Sequence, residues 1–361
     1  MPKIRVLVVD DSVVIRRLLT DVLSQDPDIE LAGTAPNGRI ALAKLPQLNP
    51  DLVTLDIEMP DLNGIDTLPL LRQAYPKLPV IMFSTLTERG ALATLEALSR
   101  GASCYVTKPA NVGSVAAGMQ SVREQLIPKI KALCAPPAPV RTASHVKVNI
   151  TRSDNRTPAR CDVVVIGSST GGPQALSKVL CELPANFPVP IVVVQHMPPV
   201  FTNHLANRLH QSGSLEVREA RNGDLLQAGL VLIAPGNFHL QLVRQGTQIR
   251  ALTNQQPPEN SCRPAVDVLF RSAAEVYGNH CVGVVLTGMG QDGLRGAQEI
   301  VSSGGTIWAQ DEETSVVWGM PRAVTDAGLA ARVLPLSEIS HALQEMASRG
   351  RPARPYAGAT T

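Results

Sequence analysis

The sequence predicts an α/β protein made of two doubly wound domains that are joined by a linker. The 361 residues exceed what one hydrophobic core usually holds, which is about 250 to 300 residues. Short apolar runs alternate with helical patterns on both sides of a Pro- and Ser-rich stretch, and this alternation favours parallel sheets covered by helices. Because open parallel sheets bind ligands at the carboxyl ends of their strands, we expect the functional residues there.

The first domain is predicted at residues 1–125. Its five apolar runs read IRVLVV, ELAGTA, DLVTLD, VIMFS and CYVT, and a helical pattern follows each of them. Five strand-helix pairs predict a five-stranded parallel sheet. Residues 126–160 are predicted to be the linker, since from Ala135 onward Pro, Ser, Thr, Asn and Arg dominate without apolar periodicity.

The second domain is predicted at residues 161–350 and shows the same alternation of apolar runs and helical patterns. The runs CDVVVIG, IVVVQH, VLIAP, CVGVVLTG and GTIWAQ indicate strands, with helical patterns between them. The stretch HLQLVRQGTQIRAL predicts an antiparallel hairpin inserted into this otherwise parallel sheet. The last residues, 351–361, are predicted to be a flexible tail.

The composition narrows the classes of function. An apolar fraction of 44% with a net charge of +2 is typical of a folded protein that has no overall electrostatic reason to bind nucleic acid or an anionic membrane. The six cysteines never come within metal-ligand spacing, so we expect neither a zinc site nor a disulfide framework. The start, MPKIRVLVVDDS, carries two aspartates where a secretory signal would be apolar, which predicts a cytoplasmic location.

Three carboxylates lie at the ends of predicted strands in the first domain. Asp10 and Asp11 follow the first apolar run, and Asp56 ends the third. Crowded like charges need a compensating proton or cation, and carboxylate oxygens suit Mg²⁺. We therefore predict a Mg²⁺ site at these three residues, with Asp56 as acceptor of a phosphoryl group. Ser84 and Lys108, at the ends of the fourth and fifth runs, are expected to bind the added phosphoryl oxygens.

The first domain resembles the receiver domain of bacterial response regulators over residues 3 to about 125. The matching residues are Asp10, Asp11, Asp56, Ser84, Lys108 and, at the aromatic switch position, Tyr105. The resemblance implies a flavodoxin-like sheet, Mg²⁺-dependent phosphorylation of Asp56 by a histidine kinase, and a relay through Ser84 and Tyr105. The resemblance does not say which effector activity the first domain regulates. A DNA-binding effector would require a basic helix-turn-helix, whereas the second half interleaves strands with helices.

The second domain carries three residues that suit a serine hydrolase. The stretch GSSTGG contains G-x-S-x-G centred on Ser169, a pattern typical of a tight strand-to-helix turn that exposes a nucleophile. A nucleotide-binding turn would look similar, but an acidic residue should then close the next strand, and that strand ends in His196 instead. Asp292 follows another apolar run. We predict Ser169 as nucleophile, His196 as general base and Asp292 as the carboxylate that orients it.

The second domain also resembles, over nearly its whole length, the catalytic domain of the CheB family of protein-glutamate methylesterases. The matching stretches are GSSTGGP, VVQHMPPVFTNHLANRL, APGNFHL, CRPAVDVLF, VLTGMGQDG and SVVWGMP. Within APGNFHL, Asn237 stands where the family often has glycine. The chain order Ser, His, Asp differs from that of the α/β-hydrolase fold, so a different scaffold is expected.

The resemblance implies a phosphorylation-activated enzyme that hydrolyses glutamyl γ-methyl esters on chemotaxis receptors and deamidates receptor glutamines. The oxyanion is expected to meet the backbone N–H groups of Thr170 and Met289, and the esterase half is expected to need no cofactor. Expected partners are a chemotaxis sensor histidine kinase and methylated chemoreceptors. The protein is expected to associate with a membrane only through these receptors. Two alternatives stay open: a hydrolase of the same mechanism acting on a non-chemotaxis signalling protein, and a ligand-binding module without chemistry.

Overall fold

The computed structural model describes residues 2–109, 115–135 and 160–349. The first domain has one five-stranded parallel sheet in the order β2-β1-β3-β4-β5. Its strands are β1 (Ile4–Val9), β2 (Ile29–Ala35), β3 (Leu52–Asp56), β4 (Val80–Ser84) and β5 (Cys104–Thr107). Its helices are α1 (Val13–Ser24), α2 (Gly38–Leu48), α3 (Gly64–Ala74), α4 (Glu88–Ser99) and α5 (Val115–Cys134).

Side chains at the helix starts explain why this domain alternates between strand and helix. Ser12, Asn37, Asn63 and Thr87 each precede a helix, and the side-chain oxygen of each accepts a hydrogen bond from a backbone N–H of the first turn. Every residue of β3 and β4 is buried, as expected for strands covered by helices on both faces. The helices therefore begin close to the strand ends that carry the predicted pocket.

The second domain has a seven-stranded sheet, ordered β14-β13-β12-β6-β7-β9-β8, and a separate hairpin of β10 and β11. The strands are β6 (Val163–Ser168), β7 (Ile191–Gln195), β8 (Glu216–Glu219), β9 (Leu230–Ile233), β10 (His239–Gln245), β11 (Gln248–Asn254), β12 (Cys281–Val285), β13 (Thr306–Gln310) and β14 (Ala330–Leu334). The helices are α6 (Gly172–Cys181), α7 (Phe201–Ser212), α8 (Val266–Tyr277), α9 (Leu294–Ser302), α10 (Met320–Asp326) and α11 (Leu336–Ser348).

The predicted fold class, two α/β domains with parallel sheets and an antiparallel hairpin, is confirmed. The prediction that the hairpin is inserted into the large sheet is wrong, because β10 and β11 pair with each other in a sheet of their own. The hairpin instead covers α8: Leu240 and Leu242 are buried in the same apolar cluster as Phe270, and the Leu242 N–H donates to Ser272 Oγ at 3.0 Å. Its alternating pattern buries one face against a helix.

The strand order of the second sheet creates its crevice. From β6 the chain continues to β7 on one side, while β12 lies on the other side of β6, so the order reverses between β6 and β12. Open α/β sheets bind ligands at such a switch point. The strands that precede Ser169, His196 and Asp292 are therefore three adjacent strands.

The helix α5 ends at Cys134 and thus passes residue 125, the predicted end of the first domain. Most of the predicted linker, residues 136–159, and the predicted tail lie outside the described residues. None of the helices in the described part of the chain combines the length and the apolar composition that a membrane span needs.

Candidate active site

The acidic residues of the first domain converge at the carboxyl edge of its sheet. Ligand oxygens of Asp10, Asp11 and Asp56 all lie within 4.8 Å of one another. The Lys108 Nζ atom is 3.1 Å from Asp10 Oδ2 and 2.8 Å from Asp56 Oδ1. Asp11, Asp56, Ser84 and Lys108 border a pocket of about 270 Å³, and Asp10 contacts this group through Lys108. The structure thus brings together the five residues predicted for a phosphoacceptor pocket.

Charge in this pocket is only partly compensated. Burial and the nearby charge of Asp10 raise the pKa of Asp56 to about 6, although Lys108 acts in the opposite direction. Burial also raises the pKa of Asp10, again against Lys108. A single ammonium therefore does not balance the carboxylates, and their hard oxygen ligands at this spacing fit a Mg²⁺ ion.

The two predicted switch residues, Ser84 and Tyr105, contact elements outside the acidic cluster. The Ser84 hydroxyl is buried, donates to Gly90 O at 3.2 Å and accepts from Thr94 Oγ1 at 2.7 Å, so it is bonded to α4. The Tyr105 ring stacks on the Phe201 ring of α7, with ring centroids 5.1 Å apart and planes 8° apart. Each switch residue therefore joins the first domain's sheet to a surface that faces the second domain.

The two domains contact each other through α4 and β5 of the first and α6 and α7 of the second. In this contact the Gln174 Nε2 atom donates to Leu98 O at 3.1 Å and to Ala102 O at 2.8 Å. Gln174 lies in the first turn of α6, the helix that starts directly after the turn carrying Ser169. The contact is therefore built on the helix that adjoins the predicted nucleophile.

Ser169 and His196 follow the ends of two neighbouring strands, β6 and β7. The His196 N–H donates to Ser168 O at 3.1 Å, and the Ser169 N–H donates to Thr287 O at 3.0 Å. The buried Gln195 amide fixes this edge, since its Oε1 accepts from Ser168 Oγ at 2.7 Å and its Nε2 donates to Ser169 O at 2.9 Å. The nucleophile turn is thus held by both adjacent strands.

Asp292 is bonded to His196, with 2.7 Å between Nε2 and Oδ2. Four further donors surround this carboxylate at 2.7–3.0 Å: Asn260 Nδ2 and the backbone N–H groups of Val266, Asp267 and Gly293. Burial raises the pKa of Asp292, but the hydrogen bond with His196 and the backbone N–H groups outweigh burial and lower it. The carboxylate is therefore charged and fixed in place.

The bond to Asp292 decides which ring nitrogen of His196 is available. Nε2 is occupied, so Nδ1 is the nitrogen that can act on a substrate or a hydroxyl, and it lies 3.6 Å from Cys262 Sγ. Burial lowers the pKa of His196, but its contacts with Asp292 and Cys262 raise it to about 10. The Ser169 hydroxyl has no hydrogen-bond partner among residues 2–109, 115–135 and 160–349, and such bonds often form only once substrate is bound.

The predicted oxyanion donors, the backbone N–H groups of Thr170 and Met289, belong to the residues that directly follow Ser169 and Gly288. The N–H groups of Thr170 and Met289 make no hydrogen bond within the part of the chain that the structure describes. Gly288, the residue before Met289, packs closely against the predicted nucleophile, because a Cβ atom on Gly288 would lie 2.9 Å from Ser169 Cβ. Unpaired N–H groups near a nucleophile are suited to stabilise an oxyanion.

Several residues of this site were not singled out from the sequence, although three of them lie in stretches that match the family. Gln195, Asn260, Cys262 and Asp267 were not predicted, and each acts by supporting a predicted residue through a contact between distant segments. The departure noted at Asn237 is explained, since its φ of 64° lies in the left-handed region, which asparagine adopts more readily than most residues other than glycine.

Comparisons with known proteins agree with this arrangement. Residues 6–119 match the family model of the response regulator receiver domain, and residues 164–343 match that of CheB methylesterase. A protein-glutamate methylesterase/protein-glutamine glutaminase of a Nocardioides species is 54% identical over 99% of this chain and 100% of its own length. One of Trichodesmium erythraeum is 51% identical over 94% of this chain and 98% of its own length.

A solved structure supports the same relationship for the second domain. The catalytic domain of the Thermotoga maritima CheB methylesterase aligns with a TM-score of 0.51 and 48% sequence identity, covering 52% of this chain and 98% of that domain. The relatives match across both domains, and the seven-stranded domain matches a solved methylesterase domain. The chain belongs to the CheB family of protein-glutamate methylesterase/protein-glutamine glutaminases.

Proposed function

We propose that this protein is a phosphorylation-activated protein-glutamate methylesterase that hydrolyses glutamyl γ-methyl esters on chemotaxis receptors and deamidates receptor glutamines. The observation that carries the proposal is the charged, fully hydrogen-bonded Asp292 that orients His196 beside the Ser169 turn. An ester and a primary amide differ only in the leaving group, so one serine site serves both substrates.

The reaction follows from the geometry of the second domain. The Ser169 hydroxyl attacks the γ-carbonyl carbon while His196 Nδ1 takes its proton, and Asp292 stabilises the imidazolium that forms. The oxyanion meets the N–H groups of Thr170 and Met289, and each such donor typically contributes about 2.7–4 kcal/mol. Methanol or ammonia leaves with the proton returned by His196, and water then hydrolyses the acyl-enzyme.

The first domain regulates the esterase through phosphorylation. Asp10, Asp11 and Asp56 would hold Mg²⁺, which when bound neutralises charge on the phosphoryl group being transferred. Asp56 accepts that group from a sensor histidine kinase, and Lys108, which already contacts Asp56, binds it afterwards. This assignment rests on the close oxygen ligands and on the incompletely compensated charge of the pocket.

Phosphorylation acts through the contact between the domains. Ser84 is bonded to α4, and Tyr105 is stacked on Phe201 of α7, so a change at Asp56 that moves either residue loosens the contact with α6 and α7. The unphosphorylated first domain thereby restrains the helix that adjoins Ser169. We further propose a cytoplasmic enzyme whose first domain extends past the predicted residue 125 to Cys134, where α5 ends, and whose second domain spans residues 161–350. It would then reach the membrane only through its receptor substrates.

Methanol release from methylated receptor membranes, with and without acetyl phosphate as phosphodonor, tests the proposal. We expect release that rises with the phosphodonor, and a loss of several orders of magnitude in Ser169→Ala. Ser303→Ala, at the end of α9 and away from the site, is the matched control and should keep normal activity. Near-normal methanol release by Ser169→Ala would contradict the assignment of Ser169 as nucleophile. If Asp56→Asn released methanol as fast as the phosphorylated wild type, activation by phosphorylation at Asp56 would be contradicted.

A further inference from the structure

Cys262 lies at the one nitrogen of His196 that Asp292 leaves free. Its Sγ atom is 3.6 Å from His196 Nδ1, on the opposite side of the ring from the 2.7 Å bond between Nε2 and Asp292 Oδ2. The thiol is half-buried in the loop between β11 and α8. Sulfur, imidazole and carboxylate thus form a continuous chain, and the sulfur is the one member that the proposed ester hydrolysis does not use.

Three of the other cysteines have surroundings that keep a thiol protonated. Burial raises the pKa of Cys104 to about 11 and that of Cys134 to about 12, and it raises the pKa of Cys281 as well. Cys262 differs from these cysteines in its contact, because its sulfur lies beside an imidazole that is itself held by a carboxylate, an arrangement in which a base can activate a nucleophile. Cys262 therefore has the environment of a reactive cysteine.

We propose that Cys262 is a modification site at which a hydroperoxide oxidises the thiol to a sulfenic acid, and that this oxidation reversibly stops ester hydrolysis. The inhibitory part rests on the proposed role of His196 as general base. The modification itself does not, since it requires only the contact between Cys262 and His196.

The oxidation step balances with one hydroperoxide for each thiol. The thiol proton passes to His196 Nδ1, and the thiolate sulfur attacks the distal peroxide oxygen. An S–O bond forms as the O–O bond breaks, so sulfur loses two electrons and the peroxide gains them. The leaving alkoxide or hydroxide takes the proton back from His196. A dithiol reverses the change, because it returns the thiol and releases water and a disulfide.

The position of the sulfur explains why oxidation would inhibit. The Ser169 hydroxyl has to pass its proton to Nδ1, because Nε2 is occupied by Asp292. An oxygen atom added to a sulfur only 3.6 Å from Nδ1 reaches hydrogen-bond distance of that nitrogen. The sulfenic acid then occupies the acceptor that the serine requires. Substrate could still bind, so kcat should fall more than KM rises.

The experiment compares the full-length protein before and after hydrogen peroxide. Methanol release is measured for the wild type, Cys262→Ala and Cys181→Ser, each against its own untreated sample, and sulfenic acids are trapped with dimedone and mapped by mass spectrometry. Cys181 is the matched control because it is also half-buried but faces Ser177 Oγ, at 3.8 Å. We expect loss of activity in the wild type and in Cys181→Ser, recovery with dithiothreitol, and resistance in Cys262→Ala.

A second readout does not depend on activity or on the Cys262→Ala variant. In the wild type, iodoacetamide should alkylate Cys262 faster than Cys181, and His196→Gln should slow the alkylation of Cys262 alone. Equal rates at the two cysteines, or inactivation of Cys262→Ala as complete as that of the wild type, would overturn the proposal. An untreated wild type that releases no methanol but shows the fast alkylation would refute the proposed function and leave the modification site standing.

Discussion

The His196 imidazole is bonded through Nε2 to Asp292 Oδ2 at 2.7 Å, and this bond determines how the ring can work. Asp292 is 3% exposed and receives four other hydrogen bonds, so it cannot turn away from the ring. The ring orientation is therefore fixed, and so is the tautomer of the neutral ring, with the proton on Nε2 and the lone pair on Nδ1.

Replacing Asp292 by asparagine should remove this control of the tautomer. An amide that donates to Nε2 favours the proton on Nδ1, where it blocks proton transfer from Ser169. We expect kcat for methanol release to fall by about 10³–10⁴ while the fold is kept. Asp326→Asn is the matched control, because Asp326 is an exposed aspartate at the end of α10 that bonds Arg322. Equal losses in both variants would contradict the assignment of Asp292.

The pH dependence of the rate should reflect the raised pKa of His196. A general base works only in its neutral form, and the contacts with Asp292 and Cys262 raise this pKa above the ordinary 6.5, against the effect of burial. We therefore expect kcat/KM of the phosphorylated protein to increase with pH through the neutral range, with a midpoint above 6.5. A rate that is already constant at pH 6.5 would show that these contacts do not hold the proton on the ring.

Gly288→Ala should displace the predicted nucleophile. The added Cβ would lie 2.9 Å from Ser169 Cβ and 2.4 Å from Met320 Sδ, which is too close for real Cβ atoms. We expect a large fall in kcat through the displaced Ser169 and Met289, and a loss of about 1–3 kcal/mol in stability. Gly246→Ala is the control: it adds strain at φ +60° with nothing within 4 Å, so it should reduce stability without reducing kcat.

The sequence allowed the strands and the site residues at their ends to be predicted, because both follow from local patterns. Apolar runs of β-branched residues mark β1, β6 and β7, and polar residues that follow such runs must lie at one edge of a parallel sheet. The placement of the hairpin was wrong because alternation specifies a buried face without naming what covers it. Asn260 and Cys262 could not be found, since their roles depend on a loop folding back over Asp292 and His196.

Gln174→Ala should weaken the restraint between the domains. It removes two hydrogen bonds to backbone oxygens of the first domain, at 2.8 and 3.1 Å, and a typical net contribution is about 1 kcal/mol for each. We expect the unphosphorylated variant to release methanol faster than the unphosphorylated wild type, and acetyl phosphate to add less. Gln344→Ala, which bonds only within the second domain, should behave as the wild type. An unchanged basal rate in Gln174→Ala would show that this contact does not restrain the enzyme.

Asp56→Asn should stabilise the metal-free protein at neutral pH. Burial and the charge of Asp10 raise the pKa of Asp56 to about 6, so the folded state binds a proton more readily than the unfolded state, and ionising Asp56 costs about 3 kcal/mol or less. The wild type should therefore lose stability as the pH rises from about 4 through about 6, whereas Asp56→Asn should lose less. Thermal unfolding in EDTA measures this difference, and Asp21→Asn, which replaces an exposed aspartate on α1, is the control.

Added Mg²⁺ should raise the Tm of the wild type more than that of Asp56→Asn, because the ion supplies the compensating charge that the asparagine no longer requires. Equal responses of the two proteins to Mg²⁺ would place the ion elsewhere.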